Sequence, residues 1–132
     1  MAEVRLAEFV ADHLRRDWAP GRVDCLLTLA DWMVWRGMPD AAPHLRGSYE
    51  TEDGFREIIA AHGGAIPLVA SCARRIGLRG ASEPTEGCIA IIGSRTNIQK
   101  QFGAIRDGQT WRVRFADAFP AIRAAPLAIW DI

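Results

Sequence analysis

The stretch APGRVDCLLTLADWM, residues 19–33, passes from a charged, loop-like run through an Asp-Cys pair and becomes almost wholly apolar. Asp24 is a helix N-cap residue type. The helix it opens, from Cys25 to about Arg36, carries Leu26, Leu27, Leu29, Ala30, Trp32, Met33 and Val34, apolar on nearly every side. A surface helix has one apolar stripe, whereas a helix apolar all round has to be surrounded by protein. The rest of the chain must therefore wrap this segment, which belongs in the middle of the fold, and Gly37 is placed to end it. With 132 residues, 49% of them hydrophobic, the chain has material for one core of ordinary size, and the expectation is a single domain over residues 1–132.

The flanking segments supply that wrapping. Leu6, Phe9, Val10, His13 and Leu14 recur at the spacing of an amphipathic helix, with Arg5, Glu8, Asp12 and Arg15 on its other face. DWAPGRV, residues 17–23, holds a Pro-Gly pair and reads as a loop. After a second loop, PDAAPHLRGSY, Thr51 is an N-cap followed by Glu52 and Asp53. The helix it starts buries Phe55, Ile58 and Ile59 and stops at Gly63-Gly64. A further helix begins near Pro67 and turns Leu68, Val69, Cys72 and Ile76 inward before Gly77. Beyond the turn-rich ASEPTEG, the runs CIAII, QFGAI and TWRVRF are β-like, and Asp107-Gly108 is a hairpin signal. A short segment at residues 116–119 and the terminal LAIWDI complete an antiparallel meander. Helices first and strands afterwards give a segregated α+β class: N-terminal helices, with the buried helix carrying Cys25 at its start, on a small C-terminal antiparallel sheet.

Composition excludes several functions. Sixteen Lys and Arg against sixteen Asp and Glu leave a formal charge of zero, without the basic footprint of a nucleic-acid binder. No apolar run approaches the roughly 18 residues of a membrane span, so no membrane insertion is expected. The N-terminal MAEVRLAEFVADHLRRD lacks the pattern of a signal peptide, and synthesis and assembly are expected in the cytoplasm. Cys25, Cys72 and Cys88 are odd in number and too widely spaced for a zinc knuckle or a disulfide framework, which leaves at least one free thiol. Neither a phosphate loop nor a paired-carboxylate or metal-ligand pattern stands out, and no cofactor or metal is expected.

Cys25 carries the chemistry worth weighing. A thiol in the first turn of a helix faces unpaired backbone N–H groups and the positive end of the macrodipole, both of which favour the nucleophilic thiolate. The competing reading is a small buried hydrophobe beside Leu26 and Leu27. Cys72, on a core helix face, and Cys88, in a strand, read as structural.

The order of these pieces resembles the NlpC-type cysteine peptidases, papain-like enzymes that cut bacterial cell-wall peptides. It is closer still to an NlpC-like family encoded in the tail gene clusters of tailed phages and gene transfer agents. The pieces are Trp18 with Gly21-Arg22-Val23-Asp24-Cys25, then Arg46-Gly47-Ser48-Tyr49, then Gly54-Phe55 through Gly63-Gly64, and finally Ile129-Trp130-Asp131-Ile132, so the likeness spans about residues 9–132. The resemblance implies Cys25 as the ancestral nucleophile with Asp24 capping its helix. It implies Arg46 and Tyr49 as residues that shape the cleft rim or tie their loop down. Arg22 supports the loop before Cys25, lies in the cleft, or is a solvated loop charge.

The departures from the family pattern bear on activity. An NlpC-type enzyme needs a His at the start of the strand that here reads Gln101-Phe102-Gly103-Ala104-Ile105, and a glutamine is no base near pH 7. The polar third member that would orient this His falls near Trp111 and Arg112, and the Gly-Asp that opens the first strand is altered to Glu86-Gly87-Cys88. His13, His44 and His62 all lie upstream of the sheet. The resemblance therefore implies a structural component of a phage or phage-like tail tip, with a degraded catalytic site and neighbours such as hub and distal-tail proteins. Trp18, Trp32, Trp35, Trp111 and Trp130 supply aromatic surface for core and interface. The alternative is a working hydrolase that cleaves peptidoglycan stem peptides during DNA delivery, with Cys25 as nucleophile and His44 or His62 folded over it as base.

Overall fold

A computed structural model describes residues 5–132. Four helices come first: α1 (Leu6–His13), α2 (Leu27–Trp35), α3 (Glu52–Ala61) and α4 (Ala65–Arg75). Six strands follow: β1 (Arg79–Ala81), β2 (Ile89–Gly93), β3 (Gln101–Asp107), β4 (Thr110–Arg112), β5 (Ala121–Ile122) and β6 (Ala128–Asp131), with a single 3₁₀ turn at Ile98–Lys100 before β3. The strands form one antiparallel sheet in the order β1-β6-β2-β3-β4-β5, and the class is α+β.

The apolar helix α2 lies against the sheet, as its composition requires. Leu27, Leu29, Ala30, Trp32 and Met33 are buried in one large cluster with Ile89, Ile91, Ile105 and Trp130 of the sheet and Leu68, Val69 and Cys72 of α4. Thr28, the polar residue in this run, is satisfied because its hydroxyl donates to the Asp24 carbonyl at 2.7 Å. Burial is not uniform, however. Val34 and Trp35 stand in solvent, at 46% and 41% exposure, so the last turn of α2 leaves the core. The helix ends where Gly37 takes φ +88° and Met38 N–H reaches back to the Met33 carbonyl at 2.9 Å, a Schellman closure that a side chain at Gly37 would strain.

Asp31, the acidic residue of α2, is the hub that ties α1 and the following loop to this helix. His13 Nε2 lies 2.9 Å and Arg16 Nη1 3.0 Å from its Oδ2, and Arg46 Nη1 lies 2.8 Å from its Oδ1. Burial opposes the charge on Asp31, yet the His13 hydrogen bond and the two guanidinium groups hold its carboxyl below the usual range. Above this cluster Phe9 of α1 packs among Trp32, Trp35 and Phe119 with ring centroids 5.3–6.2 Å apart.

Strand β2 buries residues on both faces. Ile89 and Ile91 meet the helices, while Ala90 and Ile92 join Cys88, Ala104, Trp111 and Val113 in a second, smaller core. The β2–β3 register runs from Ile89↔Ile105 to Gly93↔Gln101, which brings Gln101 to the sheet end beneath α3 and α4. Two expectations shift here. TWRVRF pairs with β3 only through Arg112, and on its other side the Val113 and Phe115 N–H groups donate to the Pro120 and Ala118 carbonyls of a tight return. The strand after it is Ala121–Ile122, not residues 116–119.

Candidate functional site

The backbone turn that presents Cys25 is held by a buried carboxylate. Asp24 is fully buried, and its Oδ1 accepts from the Leu26 and Leu27 N–H groups at 3.1 and 2.9 Å. Its carbonyl accepts from Thr28 N–H at 3.0 Å, so Asp24 is the effective N-cap and Cys25 sits in the first turn, two residues ahead of the regular helix. The second oxygen, Oδ2, accepts from Gly21 N–H at 3.0 Å and from the Tyr49 hydroxyl at 2.6 Å. Four donors thus satisfy a carboxylate that would otherwise be prohibitive to bury.

The Gly-Arg-x-Asp-Cys and Arg-Gly-x-Tyr pieces brace one another. Gly47 N–H donates to the Gly21 carbonyl at 2.8 Å, and a Cβ on Gly21, which has φ +83°, would collide with the Tyr49 carbonyl oxygen. Burial, and then the neighbouring Asp24 carboxylate, push the Tyr49 hydroxyl well above its ordinary range, so it remains a donor; its ring stacks on Phe55 at 5.4 Å. Arg46 is occupied by Asp31 and by Asp40, whose Oδ2 accepts from Nε at 2.9 Å. Arg22 is exposed. None of Arg22, Arg46 and Tyr49 lines the space beside Cys25.

That space is a cleft of about 210 Å³ whose walls include Trp18, Glu52, Gln101, Phe102 and Arg114, with Cys25 among them. The structure therefore brings together Cys25 and Gln101, the two positions singled out for catalysis. β3 approaches closely because residue 103 is glycine: a Cβ there would lie 2.5 Å from the Cys25 carbonyl. Cys25 is only 7% exposed. Burial pushes its thiol up to about 12; the Gly103 N–H opposes this, while the Asp24 and Glu52 carboxylates reinforce it. Dehydration and the two nearby negative charges thus oppose the activation expected of the first helical turn.

Gln101 is also buried. Its amide N–H donates to the Ser94 carbonyl at 2.8 Å, and Oε1 has no partner. Trp111 and Arg112, near which the resemblance puts a third member, do not line this cleft. Trp111 is fully buried in the second core with its indole N–H on the Ala124 carbonyl, and Arg112 pairs with Asp107 and the Phe119 carbonyl. Arg114 occupies the cleft instead, its guanidinium donating to the Phe115, Ala116 and Arg16 carbonyls and lying 5.9 Å from the Trp18 ring centre. Ile105 pairs with Arg112 across the Asp107-Gly108 turn, and Arg114 lies two residues beyond that last pair. Burial and Arg16 draw the Arg114 guanidinium down from its usual value, but it is a cation and no base.

The histidines lie elsewhere. His13 is buried on α1 against Asp31, His62 is exposed with Nδ1 donating to the Ile58 carbonyl at 2.9 Å, and His44 is exposed in the loop after α2. Among the described residues no three His, Cys, Asp or Glu side chains gather to hold a metal, no helix is long and apolar enough to cross a membrane, and all three cysteines are free and buried. A shallower groove of about 420 Å³ runs over the Asp31 cluster beside Trp35.

No curated protein and no solved structure matches this chain. A family model does: residues 2–96, which include Asp24, Cys25, Arg46 and Tyr49 and stop short of Gln101, match the Domain of unknown function (DUF6950), and the chain belongs to that family.

Proposed function

We propose that the protein is a catalytically silent NlpC-like module that serves as a structural component of a phage or gene-transfer-agent tail tip. The observation that carries this reading is that Gln101, an amide where the resemblance expects an imidazole, lines the same cleft as Cys25, whose thiol burial raises to about 12. Acyl transfer needs an ionised thiol or a base to ionise it; among the described residues the cleft walls hold no imidazole, and the Glu52 carboxylate is exposed and engaged by the Trp18 indole N–H. The helix-borne cysteine, the glycine-bearing strand that crosses it and the antiparallel sheet behind agree with a papain-like ancestry. The assignment to a tail tip draws on the resemblance of the whole motif order, and the exposed Val34 and Trp35 offer apolar surface to a neighbouring protein.

The test is purification of the tail particles from producing cells, with wild-type or Cys25→Ser protein supplied. The reading predicts recovery of both forms in the tail fraction at the same copy number, and intact stem peptides after incubation with either. Absence of the chain from particles, or stem-peptide cleavage by wild type that Cys25→Ser abolishes, would overturn it.

A further inference from the structure

The mouth of the Cys25 cleft is bridged by a side-chain contact that the resemblance does not account for. Trp18, in the linker between α1 and α2, donates its indole N–H to Glu52 Oε1 at 2.8 Å across 34 residues of sequence. Glu52 is the first residue of α3 and is exposed, whereas Cys25 and Gln101 in the same cleft are buried. The hydrogen bond therefore lies on the solvent side and joins the α1–α2 linker to the start of α3. Each partner is held from behind. Arg114, fixed by three backbone carbonyls, packs against the Trp18 ring, and Thr51 caps α3 by accepting from Gly54 N–H at 2.9 Å.

Two residues that line the cleft each carry a buried polar atom without a partner among the described residues, the acceptor Gln101 Oε1 and the donor Arg114 Nε. Buried groups without partners disfavour the state that contains them, while an exposed hydrogen bond contributes little net stability. Closure is thus a weakly held state over an interior that gains from hydration or from a polar occupant. We propose that the Trp18–Glu52 pair is a clasp that closes the cleft, and that its opening limits access of solutes to Cys25, Gln101 and Arg114.

The experiment is reaction of the whole protein with p-chloromercuribenzoate at neutral pH, which joins mercury to sulfur with release of chloride and the thiol proton. Mass-spectrometric peptide mapping follows Cys25, Cys72 and Cys88 separately. Trp18→Phe keeps a ring but removes the N–H, and Glu52→Asp keeps the negative charge that acts on Cys25 but draws the acceptor back by one methylene. Each should raise the Cys25 rate a few-fold, the scale of one exposed hydrogen bond net of its exchange with water. The double variant should be no faster than either single, because both break the same bond. Cys72 and Cys88, buried in other parts of the fold, should keep their wild-type rates. An unchanged Cys25 rate in Trp18→Phe, a double variant whose gain is the product of the singles, or Cys72 and Cys88 accelerating in step with Cys25 would each overturn the clasp.

Discussion

Asp24 determines the geometry of the Cys25 turn, and its partners rank the expected effects of substitution. Tyr49→Phe removes one hydrogen bond to a buried carboxylate and should cost about 1.5–3 kcal/mol by urea unfolding. Gly21→Ala should cost more, because a Cβ strikes the Tyr49 carbonyl while φ is +83°. The cap itself was legible in sequence, since its donors lie two and three residues ahead. The Tyr49 bond was not, because nothing local specifies contact across 25 residues. The same limit hid the role of Asp31, whose three partners come from α1, its following turn and the loop after α2. Its carboxyl is depressed in the fold, so the native state binds fewer protons than the unfolded one as pH falls below the ordinary carboxylate value of about 4. Asp31 therefore contributes stability above that value and loses it as pH falls through its folded value. Unfolding midpoints measured from pH 6 to 2 should fall more steeply in wild type than in Asp31→Asn.

At the scale of elements, α2 is a core helix for most of its length and a surface helix in its last turn. Leu29→Ala should cost about 2–5 kcal/mol, whereas Val34→Ala should stay within about 0.5 kcal/mol, both read from denaturant midpoints. A comparable loss in both would mean that the final turn is covered. The four helices were legible because their apolar spacing, caps and terminal glycines are local signals. β2, β3 and the Asp107-Gly108 hairpin were legible from alternation and turn chemistry. β1 and β5, at three and two residues, have no period of their own and exist only through pairing with β6 and β4. The displacement from residues 116–119 to 121–122 has the same origin: the Phe115–Ala118 backbone bond turns the chain before a strand can begin.

For the molecule as a whole, the α+β layout followed from segment order, while the strand order, which places the terminal β6 between β1 and β2, did not. The site was half legible. Cys25 and Gln101 do meet across one cleft, but the state of the thiol depends on burial summed over α2, α3 and β3, which no linear pattern encodes. That state is also a statement about stability. A thiol that ionises near 9 when unfolded and at about 12 when folded keeps its proton longer in the native protein. Its contribution is complete below pH 9 and is lost progressively as pH rises from there toward 12. Alkaline unfolding should therefore be less steep in Cys25→Ser than in wild type over that window. The pH dependence of Cys25 alkylation in the folded protein, read by mass spectrometry against Cys25→Ser, tests catalytic silence most directly. Slow labelling that still rises at pH 10, without a plateau, is the predicted result, and fast labelling with a midpoint at or below the ordinary thiol value of about 8.5 would contradict it.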